Sequence, residues 1–239
     1  MAKDNPLWGV SRIHGELLCL GYQVSERTVA RYVPPNTPEN RRRLSWRAFL
    51  RSHRDSICAM DFFTVPSATF KQLYGFAILD HGRRKILHVS AVARPSAAWV
   101  IQQLREAFPG ETEFRYLIHD NDSIFGPDVT KAAREIGLIP IATQKRSPWQ
   151  NAYMERWIGT CRRELLNHVI VFTAIQLGRL LREYAVYYNE DRTHRSLGKG
   201  VPAGCRKFAK VVGDDEKLRI VRQLRVSGLH HRYDLLRVA

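Results

Sequence analysis

Apolar runs of two different periods follow one another in a set order through the middle of this chain, and that order limits the fold more than any single motif. SICAMDFFTV, QLYGFAILD and RKILHVSAV are short, apolar and rich in β-branched or aromatic residues, and turn-prone PSATFK and HGR separate them. Such a pattern predicts an antiparallel meander. PSAAWVIQQLREAF then changes to helical spacing, with Trp99, Leu104 and Phe108 roughly on one face and Pro95 near its start. A strand (EFRYLIHD), a helix (PDVTKAAREIGL), a strand (IPIAT) and two helices (QNAYMERWIGTCRRELLN and TAIQLGRLLREYAVYYNE) complete the series.

Around this region the composition changes. Residues 1–33 read as a short helix-turn-helix-like segment. Ile13, Leu17 and Leu20 are helically spaced, GYQV supplies a glycine turn, and Ser25 is placed to cap a second helix that offers Glu26, Arg27, Thr28 and Arg31 outward. Residues 34–56 read as a basic linker, opened by Pro34-Pro35 and carrying Arg41, Arg42 and Arg43. The α/β core is expected over 57–190, with a basic segment over 191–239. Three strands, helix, strand, helix, strand, helix is the order of an RNase H-like core, a mixed five-stranded sheet with flanking helices.

The charge balance narrows the partner. Among 239 residues the formal net charge is +15, and clustered cations of this kind suit a polyanion, since neutralising phosphates releases condensed counterions. No apolar run is long enough to span a bilayer and the first residues lack a secretory pattern, so a cytoplasmic location is expected, nucleoid-associated when DNA is bound. The four cysteines (Cys19, Cys58, Cys161, Cys205) lie far apart without zinc spacing, and are expected to be reduced.

Three acidic residues stand in informative settings. Asp61 lies inside the first apolar run, where its charge needs compensation. Asp120 comes where a strand runs into the loop NDSIFGP, and continues the alternation of Tyr116 and Ile118; Asp122 is its rival. Glu155 lies beside the apolar stripe of Met154, Ile158, Cys161 and Leu165, on a polar face shared with Asn151 and Arg162. A fold that gathers the three acids would make a two-metal carboxylate site.

Taken together, SICAMDFFTV, LIHDNDSIFG, SPWQNAYMERWIGTCRREL, YYNEDRTHRSLGKGVP and the N-terminal segment resemble the DDE transposases and integrases of the retroviral-integrase superfamily, most nearly the bacterial insertion-sequence type. The likeness covers nearly the whole chain, and Asn189, Arg192, His194 and Leu197 occupy recurrent positions. It implies metal-dependent cleavage and strand transfer of DNA at element ends, with Asp61, Asp120 and Glu155 as the catalytic triad. It also implies two Mg²⁺ ions (Mn²⁺ as substitute), with Asp61 bridging. Asp122 and Ile124 depart from the glycine and glutamate that many relatives carry.

Under this resemblance Lys145, Arg146, Asn151 and Arg156 become candidates for contacts near the reacting phosphate. Arg27 and Arg31 would read the element end, and Arg41, Arg42 and Arg43 would track phosphates. Arg162 is a candidate for supporting the site by an ion pair. The DNA complex would hold at least two copies of the chain. A transposase remnant that binds DNA without cutting it, and an RNase H-like nuclease, are the competing readings.

Overall fold

The computed structural model describes residues 1–2, 4–5, 8–33, 38–145, 147–204 and 218–237, the side chains of 38–41, 148, 218 and 237 excepted. The chain divides into two units, Met1–Arg54 and Asp55–Ala239.

In the first unit, α1 (Val10–Cys19) and α2 (Glu26–Tyr32) are joined through Gly21, whose φ of +85° an L side chain would adopt only with strain. Ser25 caps α2 by accepting the Thr28 N–H at 3.1 Å, as its position in the sequence suggests. Ile13 and Val29 are the buried apolar residues of the two helices. The arginine-rich stretch read as part of a linker is helical instead, as α3 (Pro38–Ser52). Its Arg, Leu and Ala residues are good helix formers, and Trp46, Phe49 and Leu50 share one side of it at helical spacing. Arg42 and Arg43 are exposed on it.

The second unit is built on a five-stranded sheet of order β3-β2-β1-β4-β5. The strands are β1 (Ile57–Pro66), β2 (Gln72–Asp80), β3 (Ile86–Val92), β4 (Tyr116–His119) and β5 (Ile139–Ala142). The meander is antiparallel as its turns predict, whereas β4 and β5 run parallel to β1. Helices α4 (Ala97–Ala107), α5 (Pro127–Glu135), α6 (Ala152–Glu164) and α7 (Ala174–Glu190) cover the two faces. Cys58, Met60, Phe76, Ile78 and Leu117 pack with Val100 and Leu104 of α4 and Val129 and Ala133 of α5. On the other face Phe63, Val65, Ala77 and Leu79 pack with Met154, Trp157 and Cys161 of α6 and Leu177, Leu181 and Tyr184 of α7. This is the three-layered RNase H-like architecture.

Gly75 has a specific use here. It pairs across β1–β2 with Phe63, and a Cβ at Gly75 would lie 2.3 Å from the Phe63 ring. The bare glycine lets that ring lie against the sheet and meet Trp157 of α6 edge-on, at a centroid distance of 5.9 Å. Packing of α6 on the sheet therefore depends on a residue that has no side chain.

Three side chains near the end of the core do structural work. Asn189 of α7 accepts from the Ile86 N–H at 2.8 Å and donates to the Ile86 carbonyl at 2.9 Å, so its amide satisfies an outer strand as a neighbouring strand would. Arg192 donates to both Glu164 oxygens, and the Tyr184 hydroxyl donates to Glu164 at 2.9 Å. His194 is buried edge-on against Tyr188.

Beyond these residues the chain forms a hairpin that the sequence pattern does not reveal, β6 (Leu218–Arg225) with β7 (His230–Arg237). Buried Asp191 receives Arg225 at 2.6 Å and Arg232 at 3.2 Å, and the His230 ring stacks on Tyr187. Among the described residues no helix is long and apolar enough to cross a membrane.

Candidate active site

Strand periodicity brings the acids together. Along β1, side chains alternate between the two faces, and Phe63 and Val65 belong to the α6/α7 layer while Met60 belongs to the α4/α5 layer. Asp61 is therefore on the face that α6 covers. On β4, Leu117 belongs to the α4/α5 layer, so Ile118 and the position two beyond it, Asp120, face the other way. The parallel ladder pairs Ala59 with Ile118. Asp61 and Asp120 both lie two residues past that pair, where two adjacent strands come to the carboxyl end of their ladder.

Glu155 reaches the same place from the first turn of α6. All three acids line one cleft of about 420 Å³, together with Asn121, Asp122, Thr143, Gln144, Lys145, Ser147 and Asn151. Two bonds fasten α6 to β1 on either side of Asp61. The Asn151 amide lies 3.5 Å from the Met60 carbonyl, and Arg162 donates to the Thr64 carbonyl at 3.1 Å. Arg162 thus holds α6 to β1 through a backbone oxygen, and among the described residues it forms no ion pair of the kind expected of it. At the other wall, Gln150 accepts from the Gln144 N–H at 2.6 Å and folds the β5–α6 loop back on itself.

The cleft disfavours negative charge. Burial pushes the Asp61 carboxyl up to about 7, and the charges of Asp120, Glu155 and Asp122 add to the effect. Burial also raises Asp120 and Glu155 above the ordinary carboxylate range. His119, buried behind Asp120, is held below its usual value by desolvation. Mutually repelling carboxylates in one cleft suit a hard cation with oxygen ligands. Among the described residues, however, no group of three or more His, Cys, Asp or Glu side chains forms a finished metal-holding cluster. The donor types fit a divalent ion, and the acids share a cleft without closing into a cage.

Asp122 differs from Asp120 in what it does locally. Its Oδ1 accepts the Ile124 N–H at 3.0 Å and caps the turn Ser123–Phe125, while Asp120 accepts the Asp122 N–H at 3.2 Å. Asp122 is also exposed, and Asp120 is half-buried.

The cationic candidates are dispersed. Lys145 lines the cleft and is exposed, and Arg156 is exposed on α6. Arg27 and Arg31 are exposed on α2. Arg146 and the Arg41 side chain fall outside the described residues. Asn151 departs most from expectation: it is 4% exposed, not on an outer polar face. It belongs to the 3-10 turn Pro148–Asn151 ahead of α6, yet it keeps the side shared with Glu155 and Arg162, lining the cleft with the one and, like the other, bonding a β1 carbonyl. The sequence gives no comparable signal for Thr143, Gln144 or Ser147, which reach the cleft through the path of their loop.

Comparison with known proteins agrees with this fold. A family model described as an integrase core domain matches residues 137–202. An uncharacterized 39.2 kDa insertion element IS476 protein of Xanthomonas euvesicatoria is 27% identical over 150 residues, covering 61% of this chain. The matched stretch spans 42% of that relative's length. Among solved structures, the integrase catalytic core domain of HTLV-2 in complex with magnesium superposes with a TM-score of 0.50 at 10% identity, over 64% of this chain and 97% of that one. A simian T-cell lymphotropic virus intasome chain gives 0.52 at 12% identity, over 77% and 68%. At these identities the structural likeness concerns the fold.

Proposed function

We propose that this chain, whose core is of the insertion-sequence integrase and transposase type, is a metal-dependent enzyme that cleaves DNA at element ends and joins them to a target. The observation that carries this reading is the convergence of Asp61 from the middle of β1, Asp120 from the end of β4 and Glu155 from α6 on a single cleft. The acids would hold divalent cations, Mg²⁺ or Mn²⁺, and two such ions supply Lewis-acid activation to both the attacking and the leaving oxygen of a phosphodiester.

The chain's own residues do the rest. Asp61, the most buried of the three acids, is held on the central strand, where packing fixes its direction. Glu155 is registered against it by the bonds from α6 to Met60 and Thr64. Lys145, which lines the cleft, would hold a phosphate backbone entering it, and Arg146 and Arg156 are assigned the same role from sequence. Arg27 and Arg31 of the first unit supply end recognition, with Arg41, Arg42 and Arg43 adding phosphate contacts. Bringing two ends together calls for at least two copies of the chain.

The test uses purified full chain, Mg²⁺ or Mn²⁺, and labelled DNA from the flanks of its own gene. Wild type is expected to nick and join those ends. Asp61→Asn, Asp120→Asn and Glu155→Gln should each fall to background while still shifting DNA in a gel. Binding without nicking by wild type would identify a DNA-binding remnant, and cleavage of RNA–DNA hybrids alone would identify a nuclease.

A further inference from the structure

Asn151 is the least satisfied polar side chain of the cleft. It is 4% exposed, its amide reaches the Met60 carbonyl only at 3.5 Å, and its Oδ1 is buried with no hydrogen-bond donor. The side chain cannot be turned over to cure this, because the nitrogen must face the Met60 oxygen. A buried acceptor left unpaired loses its hydration without replacement, so natural interiors rarely keep one without a use. Asn151 also stands at a particular junction. It bonds the carbonyl just before Asp61, precedes Glu155 by one helical turn, and lines the acidic cleft beside both.

The geometry points to Asn151 as a positioning residue whose Oδ1 takes its hydrogen bond from the hydration shell of a cation in the acidic cleft. This rests on the metal-dependent reading above and assigns it a new residue. Through one side chain the occupant's water would be tied to both β1 and α6, drawing Asp61 and Glu155 into register as the cleft fills. Asn151 would thus act on the cation and its ligands, and the phosphate-contact role assigned from sequence would pass to Lys145 and Arg156.

The test measures Mn²⁺ binding by calorimetry and thermal stability by circular dichroism on the full chain, for wild type, Asn151→Leu and Asp61→Asn. Leucine is close to asparagine in size and removes the orphan acceptor. The expected result for Asn151→Leu is a chain that still melts cooperatively, with Mn²⁺ affinity weakened about tenfold or more, as for other groups that orient a metal's surroundings. Unchanged affinity in the folded variant, whatever its melting temperature, would make Asn151 only a structural clamp and overturn the inference.

Should Asn151→Leu fail to fold, wild type alone decides. Adding Mg²⁺ should shift the Asn151 side-chain amide resonances, and no shift would overturn the inference. The two readings fail separately. If Asp61→Asn abolishes Mn²⁺ binding and Asn151→Leu leaves it intact, only the Asn151 role falls. If wild type binds no Mn²⁺, both fall.

Discussion

Replacing Arg192 by methionine tests whether the recurrent residues after α7 act by holding α6 in place. In wild type Arg192 donates to Glu164 from Nε at 3.1 and 2.8 Å and from Nη2 at 2.6 Å, and the two side chains are each 27% exposed. Burial pushes the Glu164 carboxyl up, but hydrogen bonds from Arg192 and Tyr184 and the arginine's charge outweigh it and leave the group below its ordinary value. The same pairing raises Arg192. Methionine keeps most of the stem's packing and leaves Glu164 with Tyr184 alone. Breaking a fully buried pair costs about 3–5 kcal/mol, and partial exposure lowers that here to about 2–3 kcal/mol. For a unit of this size the melting temperature should fall by about 5–10 °C.

The dependence on pH is fixed by the direction of the Glu164 shift. A lowered folded-state value stabilises the protein above the unfolded-state value, near 4.5, and that contribution fades as pH falls through the folded one. Thermal melts of wild type and Arg192→Met followed by circular dichroism should therefore differ fully at pH 6–7.5 and converge on acidification below about 4.5. Glu164→Gln combined with Arg192→Met should recover part of the loss. A drop of under about 2 °C, or a gap that persists unchanged into acid, would refute the reasoning.

Two further perturbations separate packing from chemistry. Gly75→Ala forces a methyl into the Phe63 ring and should cost about 1–3 kcal/mol in urea denaturation, with the Trp157 fluorescence environment altered; a loss under about 0.5 kcal/mol would mean the ring has room to move. Asp122→Ala removes a cap and should lower stability by about 1 kcal/mol while nicking stays above background, whereas Asp120→Asn should abolish nicking with little loss of stability. Activity retained in Asp120→Asn and lost in Asp122→Asn would reverse the assignment of the second acid.

Much of the core is legible in the sequence because burial on both faces of a sheet leaves strong periods. The meander, the Ser25 cap and the central place of Asp61 all follow from apolar flanks and turn residues. Alternation through Tyr116 and Ile118 likewise puts Asp120 on the same side of its strand as those residues, although which helices cover that side comes from the fold. What fails to show does so for identifiable reasons. Helix α3 is hidden by its arginines and by Pro34-Pro35 before it, although Trp46, Phe49 and Leu50 keep a short helical spacing. The β6–β7 hairpin exposes Ile220, Leu224 and Tyr233 among its arginines, so its strands lack a clean two-residue alternation. Asn151 shares a side with Glu155 and Arg162 as the helical spacing suggests, but its burial against β1 comes from a tertiary contact that spacing does not reveal. The structural work of Asn189 and Arg192 rests on partners more than twenty residues away, Ile86 and Glu164, which local pattern cannot supply.

The account stands or falls on whether Asp61, Asp120 and Glu155 share bound cations. Crystals of the full chain grown with Mn²⁺ and measured at the manganese edge would answer this directly. The account predicts anomalous density in the cleft, bonded to Asp61 and to at least one of Asp120 and Glu155, and absent in Asp61→Asn crystals. Density centred on Asp122 without Asp61, or none in the cleft at saturating Mn²⁺, would contradict it.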